Sequence, residues 1–542
     1  MKRPWGILLA VLLGWLVVYP LGLVLIEAFR AGDAWSLANL REFIAQPQEW
    51  RALWNTLWIS FASVVLAGGI GIPVAFVFER LEFPGRRTLG ALVALPAVLP
   101  PLVGVIAFMF LFGESGFLAR VAQAVLGLDH APWRLRGAGA ILLVHAYSMY
   151  VYFYLFTRAG LARLDGSMLE AAQALGAGKW DTVRRVTLPL LRPQIAAAAL
   201  LVFMTSLGSF SAPYIFGGGF RVMTTQIVLT KLNGNDGLAM VQTAALALVA
   251  LIGLWLLERG RGAQNVAVMQ KGAAPARTIH SAGVRWSATI LGWAFAVFLL
   301  LPHLTLLVVS FVRRGTWTTE LIPPSWTFGN YAALATQPER LRPMVNSLWM
   351  AAAATLGVVL LTLWAGRMIV QRKVRLARAI EALTNVPWAV PGTVLAIALA
   401  TTFSVHAPWA GRIVLIGTLA ILPLAYLIRN LPIAAGSILA GFRQLDPALD
   451  EAAASLGAGQ GRTLVRVTMP LLRPAILAGA ALAFATALGD FVTSIVLYTF
   501  STRPISIEIL SVLRGYDLGQ AAAYGVVLML ISAGAMVAGT RR

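Results

Sequence analysis

Residues 164–193, LDGSMLEAAQALGAGKWDTVRRVTLPLLRP, return further along the chain as residues 445–474, LDPALDEAAASLGAGQGRTLVRVTMPLLRP. At a constant offset of 281 the two stretches agree at 18 of 30 positions, pairing Glu170 with Glu451, Gly176 with Gly457, Pro189 with Pro470 and Pro193 with Pro474. A match of that length makes the protein two related halves, and a repeat of this kind decides the architecture before any local reading does. The repeat reaches beyond the motif. Arg51, Asn55 and Leu57 match Arg342, Asn346 and Leu348, and Pro96 and Pro100 match Pro387 and Pro391, all at an offset of 291. A longer first-half loop around Glu114–Arg136 brings the offset down to 281.

The solvent of most of this chain is lipid. Of its 542 residues 59% are hydrophobic and only 12% charged, with a mean hydropathy of +0.78, which describes an integral membrane protein. The net charge of +21 comes as short Arg clusters between apolar runs. That pattern fits membrane topology, since cytoplasmic loops collect positive charge, and does not make the single basic face of a nucleic-acid binder. There is no cysteine, so disulfides, thiolate metal ligands and thiol nucleophiles are excluded. His130, His145, His280, His303 and His406 show no ligand-type spacing, and no metal site is expected.

Apolar runs near the roughly 20 residues that a bilayer demands occur at Trp5–Ile26, Leu53–Phe78, Leu89–Phe112, Ala138–Phe156, Ile195–Ile215 and Met240–Leu257. The first is too long for a cleaved signal peptide and reads as a retained helix. A Gly-, Ala-, Gln- and Arg-rich stretch at 258–285 reads as a linker, and the programme repeats at Ala288–Phe311, Leu348–Val370, Ile380–Phe403, Ile413–Ile428, Pro474–Tyr498 and Ala521–Ala538. The expectation is an all-α membrane protein of about 12 transmembrane helices in two tandem six-helix halves, 1–257 and 286–542, joined by a cytoplasmic linker. With Lys2 and Arg3 inside, the clusters Arg80, Arg86, Arg87 and Arg367, Arg372, Lys373, Arg375, Arg378, both motifs and terminal Arg541 and Arg542 all fall on the cytoplasmic side. Both termini are then cytoplasmic. An even number of spans per half makes the halves parallel, related by an axis along the membrane normal.

Both motif copies therefore face the cytoplasm. Leu164-Asp165 and Leu445-Asp446 read as helix starts, Gly176 and Gly457 as stops, and a second short helix follows until Pro189 or Pro470 interrupts it. The product is a small helix, a Gly turn and another helix, carrying Ala, Leu and one carboxylate. Such a surface suits a socket on another protein; the plainer alternative is an amphipathic loop resting on the membrane.

The pattern Glu-Ala-Ala, three residues, Gly, then a variable stretch to an apolar residue and Pro resembles the EAA loop of binding-protein-dependent ABC importer permeases. Both copies match, from Glu170 to Pro189 and from Glu451 to Pro470, and the six-helix pattern around them covers essentially the whole chain. The resemblance implies the type I ABC importer permease fold, with two halves fused as in the ferric-iron and thiamine permeases. It implies coupling helices in which Glu170, Ala171, Ala172, Gly176 and Glu451, Ala452, Ala453, Gly457 dock two copies of a cytoplasmic ABC ATPase. It also implies a periplasmic or external solute-binding protein and residence in a bacterial inner membrane. The cargo so implied is ferric iron first, then thiamine, phosphonate or polyamine. Pro447 departs from Gly166 of the first copy and is expected to shift the start of that helix.

No stretch has the G-x-x-x-x-G-K-[ST] phosphate loop: Gly176-Ala177-Gly178-Lys179 runs into Trp180, and Gly457-Ala458-Gly459 lacks the Lys. The chain carries no cofactor and is not itself the enzyme; ATP and Mg belong to the partner ATPase. Polar residues within spans are costly and so become candidates for the substrate path. Asp490, whose counterpart is Ser209, is placed roughly 24 Å up its helix at about 1.5 Å per residue, where it either meets a cationic cargo or the binding protein or simply lies near the interface. Asn55 and Asn346 line the path or, alternatively, anchor helix ends. His145 with Tyr147, Tyr150, Tyr152 and Tyr154 suits helix packing or an aromatic belt better than a lining. An ion-coupled secondary transporter is the alternative function; it would need membrane-buried acids and would have no use for paired cytoplasmic sockets.

Overall fold

The computed structural model describes residues 3–32, 34–98, 100–261, 277–278, 281–317, 320–371, 374–404 and 413–540. Lys2, Arg372, Lys373, Arg541, Arg542, His280 and His406, and most of the expected linker, lie outside the described residues. Among those described, 11 helices are long and apolar enough to cross a membrane. Counted as one span, the pair Ala377–Ala389 and Gly392–Thr402, bent by 109°, brings the number to 12. The protein is a multi-pass membrane protein, and its helices fall into the two repeated sets.

Five expected spans are built differently, each for a reason visible in its residues. The run Leu89–Phe112 is not one helix: it divides into Arg86–Val93, a 3-10 turn Leu95–Val98 and Pro101–Phe112. Pro100 is held at φ −57°, ψ 135° by the proline after it, so the helix cannot run through. Its repeat, expected as Ile380–Phe403, bends at Val390-Pro391 for the same reason, with Val390 extended at φ −105°, ψ 124°. The span expected at Ile413–Ile428 lies at Ile421–Gln444 instead, because Gly417 turns the chain at φ +83° before the helix begins.

The runs Ile195–Ile215 and Pro474–Tyr498 are also redrawn. Pro189 and Pro470 do not interrupt their helices, and each rod continues unbroken, Lys179–Leu207 and Gln460–Leu488. A proline ring would strike the carbonyl four residues back. Here the turns before it, Val183–Thr187 and Leu464–Thr468, widen to π geometry, with Leu188 N–H donating to Val183 O and Met469 N–H to Leu464 O. At the far end each rod stops at Gly208 or Gly489, and a short helix follows, Ser211–Phe216 or Val492–Leu497.

Part of each first span packs on the other half. Leu9 and Leu13 of Arg3–Leu13 pack into a core of second-half residues including Val358, Ala365, Ile380 and Leu431. Reciprocally, Ala296 and Leu299 of Ala282–Val309 pack with first-half Phe83, Leu89, Val105 and Phe108, and Tyr147 Oη donates to Leu299 O at 2.7 Å. The outer ends repeat as well. Asn55 Nδ2 donates to Arg221 O at 2.9 Å, and Asn346 Nδ2 donates to Ser501 O and Arg503 O, both at 3.0 Å. The hydroxyls of Thr56 and Ser347 accept from Met223 N and Ile505 N at 2.8 Å, satisfying first-turn amides of the outer helices Met223–Leu232 and Ile505–Arg514.

Candidate docking helices and central cavity

The first motif helix is Gly166–Ala174. Asp165 caps it by accepting Ser167 N–H at 3.0 Å. At its end Gly176 takes φ +81°, so that Gly176 N–H reaches Gln173 O at 2.9 Å and Ala177 N–H reaches Ala172 O at 3.0 Å. This paired termination needs a left-handed residue, which glycine adopts without strain. The second copy is built alike: Asp446 accepts Ala448 N–H at 2.9 Å, Gly457 sits at φ +73°, and Ala458 N–H reaches Ala453 O at 2.9 Å. Pro447 moves its start by one position, to Ala448.

No residue of Gly166–Ala174 is buried, and only Ala453 is buried in Ala448–Ser455. At the helix ends Leu175 is 89% exposed and its repeat Leu456 87%. Glu170 and Glu451 are exposed, and neither side chain has an ion pair among the described residues. Two equivalent surfaces thus present an apolar tip, small Ala side chains and a free carboxylate. Both lie on one face of the molecule, because each rod runs from its motif helix to a break where the halves meet.

That meeting is reciprocal. A Cβ on Gly208 would lie 3.5 Å from Pro391 Cα of the other half, and one on Gly489 would lie 2.7 Å from Pro100 Cβ. Across the axis Phe210 and Phe491, repeats of each other, sit 5.7 Å apart between ring centroids, and Tyr214 stacks on Phe210 at 5.0 Å. Arg514 lies over the Tyr214 ring at 5.7 Å and donates to its hydroxyl. With Phe210 and Phe491 at 1% and 2% exposure, the cluster seals the interior at the end remote from the motif helices.

Beneath it is a cavity of about 170 Å³ lined from both halves, with Pro100, His145, Tyr152 and Ser209 on one side and Arg429 and Val492 on the other. Of the four candidate path residues, Ser209 lines this cavity; Asp490 is not among its described walls and pairs with Arg429, which is, while Asn55 and Asn346 are at the outer ends bonding loop carbonyls. Asp490 is not inside a helix. It occupies the break after Leu488, is 7% exposed, and faces Arg429 Nη1 at 3.1 Å from Oδ2. His145 holds Ser63 Oγ at 2.8 Å and Ser206 Oγ at 3.2 Å on Nδ1, and Ser209 Oγ at 2.9 Å on Nε2. Tyr150 and Tyr154 tie their helix to the carbonyls of Val93 and Gly90. Arg429 was absent from the sequence-based candidates, because the span was expected to end at Ile428. Carrying the first-half span Ala138–Phe156 across at the 281 offset would have placed it inside.

A family model described as the binding-protein-dependent transport system inner membrane component matches the sequence twice, over residues 67–259 and 357–540. The probable ABC transporter permease protein y4fN of Sinorhizobium fredii is 30% identical over 510 residues, covering 93% of this chain and 89% of its own length. The ferric transport system permease protein FbpB of Actinobacillus pleuropneumoniae is 26% identical over 537 residues, with coverages of 97% and 76%. The thiamine transport system permease protein ThiP of Escherichia coli is 27% identical over 537 residues, with coverages of 96% and 95%.

Proposed function

The chain belongs to the binding-protein-dependent transport system inner membrane components, and from that premise we propose how its two halves drive import. Two copies of a cytoplasmic ABC ATPase dock on Gly166–Ala174 and Ala448–Ser455, and an external binding protein delivers the solute at the opposite face. The observation that carries the reading is the matched pair of motif helices, each with an exposed leucine tip and an unpaired glutamate on the same side. The positive charge of the loops on that side supports a cytoplasmic location for both, and for both termini.

ATP binding closes the ATPases and draws the motif helices together. Each motion passes along a rigid rod, Lys179–Leu207 or Gln460–Leu488, to a break that bears on a proline of the other half. Turning the halves against each other then separates Phe210 from Phe491 and opens the cavity to the outside, and hydrolysis reverses the turn. The protein supplies the path, and the nucleotide chemistry belongs to the ATPase. The names of the relatives make ferric iron and thiamine the first cargoes to test, with phosphonates and polyamines next.

The test is affinity purification in mild detergent with the bound partners identified and counted by mass spectrometry. Two copies of a phosphate-loop ATPase per chain, with ATPase activity in the eluate, are expected. A chain recovered alone and inactive, under conditions that preserve other permease complexes, would refute the reading.

A further inference from the structure

The central cavity is faced by one charged side chain that the fold does not require. Arg429 lies in the Ile421–Gln444 span, and its guanidinium rests over Gly392, where a Cβ would strike Nη1 at 2.0 Å. Only glycine leaves that space. Nη1 stands 3.1 Å from Asp490 Oδ2, yet it is buried without an aligned hydrogen-bond acceptor among the described residues. Asp490, for its part, is already engaged: Oδ1 accepts Thr493 N–H at 2.9 Å, Ser494 N–H at 3.3 Å and the Thr493 hydroxyl, capping the helix Val492–Leu497.

The first half is an internal control on whether this charge is structural. At the 281 offset Arg429 becomes Ser148 and Asp490 becomes Ser209. Ser148 bonds only its own helix, to Val144 O at 2.8 Å, and the break is tied to the neighbouring span by His145 and Ser209. The second half has its own neutral tie, from the position equivalent to His145: Tyr426 Oη meets Ser494 Oγ at 2.6 Å. The architecture is therefore held without an ion pair in one half, and the other half has a neutral bond as well as the guanidinium. A cation kept within a span at such cost, facing a cavity, marks a solute pathway.

We infer that Arg429 contacts the cargo, and that the solute crosses carrying a carboxylate, phosphonate or similar oxyanion group. A guanidinium offers a planar fork of donors matched to two such oxygens. The rest of the lining agrees, since no Asp or Glu is among the described cavity walls, while Tyr152 brings a hydroxyl and the prolines the rigid apolar part. This rests on the importer reading and narrows its cargo. Thiamine and polyamines, as cations, are disfavoured, and iron would cross as an anionic carboxylate chelate.

The test is titration of the purified full-length chain in nanodiscs, by microscale thermophoresis, with methylphosphonate, citrate, thiamine and spermidine. Methylphosphonate or citrate saturates the wild type, and the Kd rises about tenfold or more in Arg429→Gln, the loss of one charge-assisted contact. Arg429→Lys, which keeps the charge without the fork, falls between. Asp490→Asn, which frees the guanidinium, binds the same anion about threefold more tightly or better, and it carries the test if Arg429→Gln does not fold. No saturable anion binding, equal affinity in the Arg429 variants or in Asp490→Asn, or competition by thiamine or spermidine would overturn the inference. The titration needs no ATPase. Captured ATPase without anion binding removes this inference alone, and anion binding without a captured ATPase removes the importer reading and leaves the site.

Discussion

Replacing Leu175 and Leu456 by Ser separates a docking surface from a structural one. Each leucine stands at the C-terminal end of its motif helix with 89% and 87% of its surface open, so neither contributes measurably to the stability of the chain. Fully burying such a side chain is worth about 2 kcal/mol, nearly all of it still available for a partner. Each substitution should therefore weaken ATPase binding at its own site by about thirtyfold. In the double variant the ATPase should be lost on purification. The assay is the recovery of ATPase per chain after mild-detergent purification, beside the thermal unfolding of the same sample. The docking argument predicts lost ATPase with an unchanged melting temperature. Full ATPase recovery, or a lowered melting temperature with the ATPase retained, would refute it and place the leucines in the bilayer or in the chain's own packing.

Changing Glu170 and Glu451 together to Ala should abolish solute uptake by whole cells while membrane fractions still contain the chain at normal abundance; undiminished uptake would contradict the docking role. Gly176→Ala and Gly457→Ala force a side chain into left-handed backbone at φ +81° and +73°, costing about 1 kcal/mol each. Hydrogen exchange at the Ala177 and Ala458 amides should speed up accordingly, with the spans unaffected. Phe210→Ala removes a ring that is 1% exposed and should cost about 3 kcal/mol. Because the chain has no cysteine, a Cys placed at Ser211 reports the seal without background. Its labelling by a membrane-impermeant maleimide from outside should rise in the Phe210 variant and stay flat if the aromatic cluster is not the barrier.

The duplicated motif was legible because its residues are demanded locally: Asp165 and Asp446 cap, Gly176 and Gly457 terminate, and neither depends on what packs nearby. The number of spans was legible for a similar reason, since a bilayer sets their length. Breaks within spans were not. Hydropathy averages across Pro96–Pro101 and Val390-Pro391, where the backbone turns while the composition stays apolar. Proline was also read too strongly at Pro189 and Pro470, since one π turn lets the helix keep its course. The cavity's charge escaped notice because 413–420 is as apolar as a membrane helix without being one. That drew the expected span toward the N-terminus and left Arg429 just beyond its end. Asp490 drew attention as an acid in an apolar run, whereas its partners, contributed by another span and by its own break, belong to tertiary structure.

The packing of first spans across the halves also sets an order of assembly. Leu9 and Leu13 enter the membrane early, but the residues that bury them, from Val358 to Leu472, are made only after the whole first half. Through that interval Leu9 and Leu13 lack these neighbours, although Val24 and Ala28 further along the same span already pack on first-half Leu200, Met223 and Leu246, and the first six spans can associate without being finished. The mirror-image gap is short, since Ala296 and Leu299 find Phe83 and Phe108 already in place. Late-made segments thus complete early ones, as expected where contacts distant in sequence close a large fold. Interrupted synthesis, or loss of the second half, would leave Leu9 and Leu13 without their neighbours, so quality control can recognise an incomplete molecule by its first transmembrane segment.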